Sequence, residues 1–286
     1  MLLKNTDLNK IIIKKTITIN SNASLLDARE VLLRHNLKRL VVIDSKKHPV
    51  GIITEKDIAK TIYALGDKPI KSIMVSGFMS KKLITIKKTD SIYDCAKLMK
   101  KNHISSIIVL GNNDILEGLI TKTDLASIFL THAISPLKIS KIMTRNVITA
   151  MPGDSLLYVE SLLIHHRIAR IVIQRNSIPV GIITYRDFVP AKLPYWLAQS
   201  ANPKEVENYR MKSNNEFQDT PMNHLLHFKA VDIMSPNPIT VEFDKDVGVA
   251  VLLMIRNGIS GLPVVKKSKM VGIITKTDIV NAIAEA

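Results

Sequence analysis

Cysteine is nearly absent from this chain: Cys95 is the single one in 286 residues, so no intramolecular disulfide can form and a reducing compartment, the cytoplasm, is expected. Aromatic residues are scarce as well, at 5%. That argues against a single-strand nucleic-acid binder built on stacking platforms, though not against a protein that grips duplex backbone. No apolar run approaches the roughly 20 residues of a spanning helix; the longest, Val247 to Ile255, is about half that length, and no membrane partner is expected. Charged residues make up 23% and no tract is compositionally biased, which excludes a long low-complexity segment. Catalytic signatures are missing too: there is no Gly-x-x-x-x-Gly-Lys-Ser/Thr loop, no nucleophile elbow and no paired catalytic carboxylates. The expectation is a chain that is not an enzyme, with no cofactor and no metal.

Acidic side chains are outnumbered, 25 against 40 Lys and Arg, for a net charge of +15. Such a surface attracts anions: phosphorylated ligands, nucleic acid, an acidic partner protein or anionic lipid. Charge alone does not choose among them. The 46% of hydrophobic residues is ample for a core.

What is abundant is repetition. Gly51-Ile-Ile-Thr54-Glu-Lys-Asp57 recurs as Gly118-Leu-Ile-Thr121-Lys-Thr-Asp124, Gly181-Ile-Ile-Thr184-Tyr-Arg-Asp187 and Gly272-Ile-Ile-Thr275-Lys-Thr-Asp278. The first two intervals are about 65 residues and the third is longer by roughly 25, which marks an insertion. Upstream of each copy lies a short β-prone strand, an amphipathic segment, a buried-looking strand and a polar turn. In the first copy these are Thr16 to Ile19, Ser24 to His35, Leu40 to Asp44 and Ser45 to His48. The amphipathic segments align Leu25, Ala28 and Leu32 with Ile92, Cys95 and Met99, with Leu156, Val159 and Leu163, and with Val247, Ala250 and Met254. Cys95 thus occupies a core slot and reads as a small buried hydrophobe. A helix follows each Thr-x-x-Asp tetrad, so the order within a unit is β-α-β-β-α and the fold class is α/β (α+β).

This unit resembles the cystathionine β-synthase (CBS) domain, whose closing Gly-hydrophobic-x-Thr/Ser-x-x-Asp signature stands here in all four copies. The resemblance implies repeats at 1–68, 69–133, 134–190 and 230–286, with an insertion at 191–229. It further implies that consecutive repeats pack through their sheets into two modules, 1–133 and 134–286, with ligand clefts between paired repeats. A disc-like assembly, by pairing within the chain or in a homodimer, goes with that. Four repeats leave no space for a separate catalytic barrel of about 250 residues.

Each tetrad admits two readings, and both can hold in one repeat. Thr at a helix N-cap with an acidic residue three positions on resembles a capping box and needs no ligand. Alternatively Asp57, Asp124, Asp187 and Asp278 accept hydrogen bonds from vicinal ribose hydroxyls. Thr54, Thr121, Thr184 and Thr275 then add a hydroxyl, and the helix N-terminus offers N–H groups to phosphate. The resemblance implies adenosine-type ligands at these positions. Before the middle strand, aligned dipeptides read Lys38-Arg39, Ser105-Ser106, Ala169-Arg170 and Ser260-Gly261, and the residue before each Asp reads Lys56, Thr123, Arg186 and Thr277. In nucleotide-binding members basic side chains at the dipeptide contact phosphate, so Lys38, Arg39 and Arg170, together with Lys56 and Arg186, are phosphate candidates concentrated in the odd-numbered repeats. The base is expected against the first strands, at Ile17 and Thr18 or Ile148 and Thr149.

The insertion holds the single Trp, Trp196, an anchor candidate for packing, dimer contact or an unidentified partner. Its His224 and His227 lack a third ligand and are not read as a metal site. The leading expectation is a regulatory sensor of AMP, ADP or ATP that signals occupancy to a partner or oligomer contact. The alternatives are a basic nucleic-acid binder on the same scaffold, or a sensor of S-adenosylmethionine or a cyclic dinucleotide.

Overall fold

The computed structural model describes residue 8 and residues 16–64, 70–132, 137–188 and 228–285. Trp196, His224 and His227 lie outside them. Among the described residues four small sheets, one per repeat, share one plan: the first strand runs parallel to the second, and the second pairs antiparallel with the third. In the first repeat the strands are Thr18–Asn20, Arg39–Ile43 and Pro49–Thr54, with helices Leu25–Arg34 and Glu55–Ala64. The opening helices begin where the sequence offers a cap. Ser24 with Asp27 and Ser91 with Asp94 form complete capping boxes, while Ser155 and Asp246 cap the other two. Each opening helix ends on a left-handed residue, Asn36, His103, Arg167 or Gly258, which stops the helix and turns the chain toward its middle strand. In the third repeat the closing element is a single 3-10 turn, Tyr185–Phe188, at the edge of the described residues.

A three-stranded sheet with helices on one side has two apolar faces, and each finds a different neighbour. The sheets of repeats one and two meet over Val41, Ile108 and Leu119. Those of repeats three and four approach through strands Ile178–Thr184 and Lys269–Thr275, where the Met270 amide donates to the Ser177 carbonyl at 2.7 Å. The helix faces pair otherwise. One core joins Leu25, Ala28 and Leu32 of repeat one with Leu156, Val159 and Leu163 of repeat three. A second joins Ile92, Cys95 and Met99 of repeat two with Val247, Ala250 and Met254 of repeat four, and Leu8 is buried in it. Burial pushes the Cys95 thiol up to about 12, which leaves it inert at neutral pH. Among the described residues no helix is long and apolar enough to cross a membrane.

Segments linking the repeats are stitched onto neighbouring sheets. Ser80 and Ile52 exchange backbone bonds of 2.8 and 3.0 Å, Thr144 and Ile273 exchange two of 2.9 Å, and Ser235–Pro236 adds a fourth strand beside Ile178–Thr184. Each stitch lays a methionine on the glycine of the repeated motif: Met79 on Gly51, Met234 on Gly181 and Met143 on Gly272. A Cβ on Gly181 would stand 2.3 Å from Met234 Sδ and 3.0 Å from its Cβ. The glycines are therefore required by the linker above them rather than by an unusual backbone angle.

Gly181→Ala is accordingly expected to cost about 1–3 kcal/mol through overpacking, measured by thermal or chemical unfolding, and Met234→Ala in the same chain should recover part of it. Gly153, whose added Cβ would meet nothing within 4 Å, is the control, with an expected change under about 0.5 kcal/mol. Equal losses at the two positions would contradict the steric account.

Candidate functional site

All four tetrads adopt one geometry. Thr54 Oγ1 and the Thr54 amide donate to Asp57 Oδ2 at 2.7 and 2.9 Å. The matching distances are 2.7 and 2.7 Å at Asp124, 2.9 and 2.7 Å at Asp187, and 2.6 and 2.7 Å at Asp278. These Thr bonds all fall on Oδ2, and at Asp278 the other oxygen accepts from Thr144 Oγ1 at 3.1 Å. The same bonds close the Ser24–Asp27 and Ser91–Asp94 boxes, so the capping role is present at every tetrad. The surroundings differ. Cap bonds hold the exposed Asp27 and Asp94 carboxyls below the usual range, whereas burial raises that of Asp124 despite its cap.

Strand register explains why the dipeptides sit beside the tetrads. Arg39, Ser106, Arg170 and Gly261 each pair directly with the tetrad threonine, Thr54, Thr121, Thr184 and Thr275. From there the odd-repeat arginines cross to the dipeptide of the sheet partner. Arg39 Nη1 donates to the Ser105 carbonyl at 2.6 Å and Arg170 Nη2 to Ser260 Oγ at 2.7 Å. A Cβ on Gly261 would lie 2.3 Å from Arg170 Nη1. The small residues of the even repeats are thus the steric complement of the arginines. Lys38 Nζ crosses further, to Ser260 Oγ at 3.0 Å.

The two middle residues of each tetrad form the seams between helix-paired repeats, and they do so by exchange. At the seam of repeats one and three, Glu55 meets Arg186 and Tyr185 meets Lys56. Arg186 Nε pairs with Glu55 Oε1, its Nη1 reaches Asn36 Oδ1 and its Nη2 donates to the Leu37 carbonyl at 2.9 Å. The Lys56 ammonium stands 5.5 Å from the Tyr185 ring centre. At the seam of repeats two and four, Lys122 Nζ donates to Thr277 Oγ1 at 2.9 Å and Lys276 Nζ to Thr123 Oγ1 at 3.0 Å. Of the two phosphate candidates read from sequence here, Arg186 spends its guanidinium on this seam, and Lys56 stands over the Tyr185 ring beside it. Their alternation with Thr123 and Thr277 follows from which repeats pack together.

One cation from each repeat, Arg39, Lys122, Arg170 and Lys276, lies within electrostatic reach of others in this set, as does Lys38. Their charges act on one another. Burial, then the neighbouring guanidinium of Arg170 and ammonium of Lys276, pushes the Lys38 ammonium down to about 8. Burial and then Arg39 push that of Lys122 to about 8, and burial lowers Lys276. Burial brings both Arg39 and Arg170 down to about 10. Among the described residues the one ion pair here is Arg186 with Glu55. Lys122 and Lys276 were missed in the sequence because each tetrad was read within its own repeat. The signal was the position after each threonine, which reads Glu55, Lys122, Tyr185 and Lys276. Thr18 and Thr149 lie on first strands, paired with Val41 and Val172, and Thr149 Oγ1 accepts from Gln174 at 2.9 Å. Ile17 and Ile148 pack against the core of repeats one and three, so their apolar surface is shared with it.

The CBS domain matches the chain at residues 8–64, 75–131, 139–193 and 230–285. The uncharacterized protein MJ1225 of Methanocaldococcus jannaschii is 24% identical over 293 residues, spanning 95% of this chain and 96% of that protein. Its crystal structure gives a TM-score of 0.81 at 22% identity, covering 98% of this chain and 100% of that one. The structure of an uncharacterized conserved protein from Pyrococcus horikoshii gives 0.64 at 17% identity, covering 97% and 100%. MJ1404 of Methanocaldococcus jannaschii is 32% identical over 139 residues, 43% of this chain, and the match covers 32% of that longer protein. At these identities the structural likeness shows a shared fold.

Arg186→Ala is expected to be strongly destabilising, by about 3–5 kcal/mol, because it leaves Glu55, 9% exposed, as a buried charge without its partner. Burial already raises the Glu55 pKa against the pull of Arg186. Its contribution to stability is thus fullest below the ordinary glutamate range and is lost as pH rises through the folded value. Removing Arg186 raises that value further, so denaturation midpoints followed from pH 4 to 8 should fall more steeply for the variant. Parallel curves would refute the assignment.

Proposed function

The chain belongs to the CBS-domain family, and from that premise we propose that it is a regulatory sensor of adenosine nucleotides, AMP, ADP or ATP, with no catalytic step of its own. The observation that carries this reading is the convergence of Arg39, Lys122, Arg170 and Lys276, without an ion pair to any described carboxylate, beside four Thr-Asp tetrads. Cations that are crowded and unpaired are poised to bind phosphate, and a guanidinium fork suits its oxygens.

Asp57 and Asp187 receive the ribose hydroxyls, with Asp124 and Asp278 as their counterparts in the even repeats. The cap holds Oδ2 and fixes the carboxylate's orientation. Thr54, Thr121, Thr184 and Thr275 hold that cap, and Lys38, Arg39 and Arg170 take phosphate. Ile17, Thr18, Ile148 and Thr149 flank the base. Signal transfer follows from chemistry within four residues. The ends of a tetrad face the ligand and its middle residues build the seam, so a ligand that shifts Asp57 or Asp187 also moves Glu55 against Arg186. Occupancy then biases the packing of repeat one on repeat three and whatever surface a partner or second copy reads.

Mass spectrometry of ligand retained through purification, followed by calorimetry against adenosine, AMP, ADP, ATP and S-adenosylmethionine, tests this. Asp57→Ala and Asp187→Ala should weaken adenosine and AMP alike, by about 1.5–3 kcal/mol for charge-assisted bonds. Arg39→Ala and Arg170→Ala should weaken AMP and ATP, leave adenosine nearly unchanged and show a penalty that shrinks as salt rises. Loss of thermal stability in all four Asp variants with no ligand bound by the parent chain would leave the tetrads as caps alone. Steeply salt-dependent retention of duplex DNA or RNA, with no nucleotide bound, would establish the basic-scaffold alternative.

A further inference from the structure

Helix C-termini of repeats two and four flank a groove that the repeated fold does not require. The opening helix of repeat two, Ile92–Lys101, packs on the closing helix of repeat four, Lys276–Glu285. In the same way Val247–Arg256 of repeat four packs on Lys122–His132 of repeat two. In the first contact a cavity of about 400 Å³ is lined by Leu98 and Ala284 together with Lys97, Lys100 and Lys101. Aligning the repeats places Leu253, Leu130, Leu252, Ile255 and Arg256 at those positions in the second contact. Neither the alanine nor the three lysines are therefore needed for the helices to pack. Lysines in a last turn favour the helix dipole, which accounts for Lys100 and Lys101 but not for an apolar floor between the cations. Lys100 Nζ donates to Glu285 Oε1 at 2.5 Å, so one carboxylate is already seated at the rim. The Lys97 ammonium stands 4.1 Å from the Tyr93 ring centre, and neither Lys97 nor Lys101 has an ion pair among the described residues.

We infer that this groove is a docking surface for an acidic polypeptide segment of a partner protein, which seats an apolar side chain on Leu98 and Ala284 and sets carboxylates against Lys97 and Lys101. Charge complementarity selects the class, since three rim lysines on a chain of net charge +15 favour an anionic partner. The floor selects further. A nucleic-acid backbone would use the ammonium groups and leave Leu98 and Ala284 uncovered, whereas an acidic amphipathic segment laid between the helices covers both. One large anchoring side chain in such a pocket carries much of the binding energy of an interface. Ala284 lies about 12 Å along its helix from Lys276, so the groove stands apart from the tetrads and the cations beside them. It holds a partner whether or not the tetrads bind nucleotide. Where they do, a single helix carries Asp278 at the nucleotide and Ala284 at the partner.

Selection of a phage-displayed library of random peptides against the full chain tests the surface, followed by titration of the enriched peptides by fluorescence anisotropy. The enriched set should carry a large apolar residue flanked by Asp and Glu, and its binding should weaken as salt rises. Ala284→Leu, which fills the floor, and Lys97→Glu/Lys101→Glu, which reverses the rim at two exposed positions, should each weaken it at least about tenfold. Lys81→Glu/Lys82→Glu, an equal reversal elsewhere on the surface, should hold within about twofold. Thermal melting checks the fold of each variant, and the charge reversal decides alone if Ala284→Leu does not fold. No enriched peptide, an enriched set without acidic residues, or equal affinity for the parent chain and the groove variants would overturn the inference. So would duplex DNA or phosphatidylglycerol vesicles that bind through Lys97 and Lys101 in place of any peptide and ignore Ala284→Leu, because the rim would then serve a nucleic acid or a membrane.

Discussion

Each repeat is a thin layer with two apolar faces, and neither can be left to water. That constraint sets everything else. The sheet of repeat one is covered by that of repeat two over Val41, Ile108 and Leu119, while its helices are covered by those of repeat three through Leu25, Leu32 and Leu163. Repeat two looks the same way toward repeats one and four. Because sheet partners and helix partners differ, the four units close on one another and their tetrads are driven to a common middle. Burying even one Leu or Ile side chain is worth about 1.5–3 kcal/mol, so the apolar faces outweigh the repulsion of the cations they bring together.

Gathering the tetrads has an electrostatic consequence that the repeats resolve unequally. The threonine and aspartate of a tetrad face each other within the cap, which leaves the two middle residues to meet another repeat. Glu55 gives one seam a buried ion pair, the kind of contact whose loss costs far more than its formation gains. Lys122 and Lys276 give the other seam two depressed ammonium groups held by hydroxyls. One seam is complete as it stands. The other has cationic donors in excess of its acceptors, so the two seams are not equivalent.

Much of the fold was legible because it is local. Caps at Ser24 and Ser91, the 3.6-residue spacing of Leu25, Ala28 and Leu32, and the glycine motifs each act within a few residues, and the repeat amplified them fourfold. What escaped was partnership across repeats. The alternation of Arg39 and Arg170 with Ser106 and Gly261 read as a pattern of ligand chemistry and has a steric side as well, since a Cβ on Gly261 would meet Arg170. Lys56 and Arg186 read as phosphate candidates within their own copies, and nothing there showed that they also face Tyr185 and Glu55. Nothing within one copy shows which other copy its helices will meet. That choice depends on the summed fit of whole faces, and the roles of the middle tetrad residues depend on it in turn.

The two opening-helix boxes, Ser24–Asp27 and Ser91–Asp94, serve as internal controls for what a tetrad needs in order to cap a helix. They do so at exposed helix ends with carboxyls that titrate below the usual range. A cap therefore gains nothing from burial. Asp124 makes the same bonds, but in a place where burial raises its pKa and where Arg39 of repeat one and Lys276 of repeat four stand close enough to act on it. Capping explains why threonine and aspartate stand three residues apart. It does not explain why four such caps should be spent at the one point where all the repeats meet, and that placement is what an anionic ligand with a hydroxylated sugar would require.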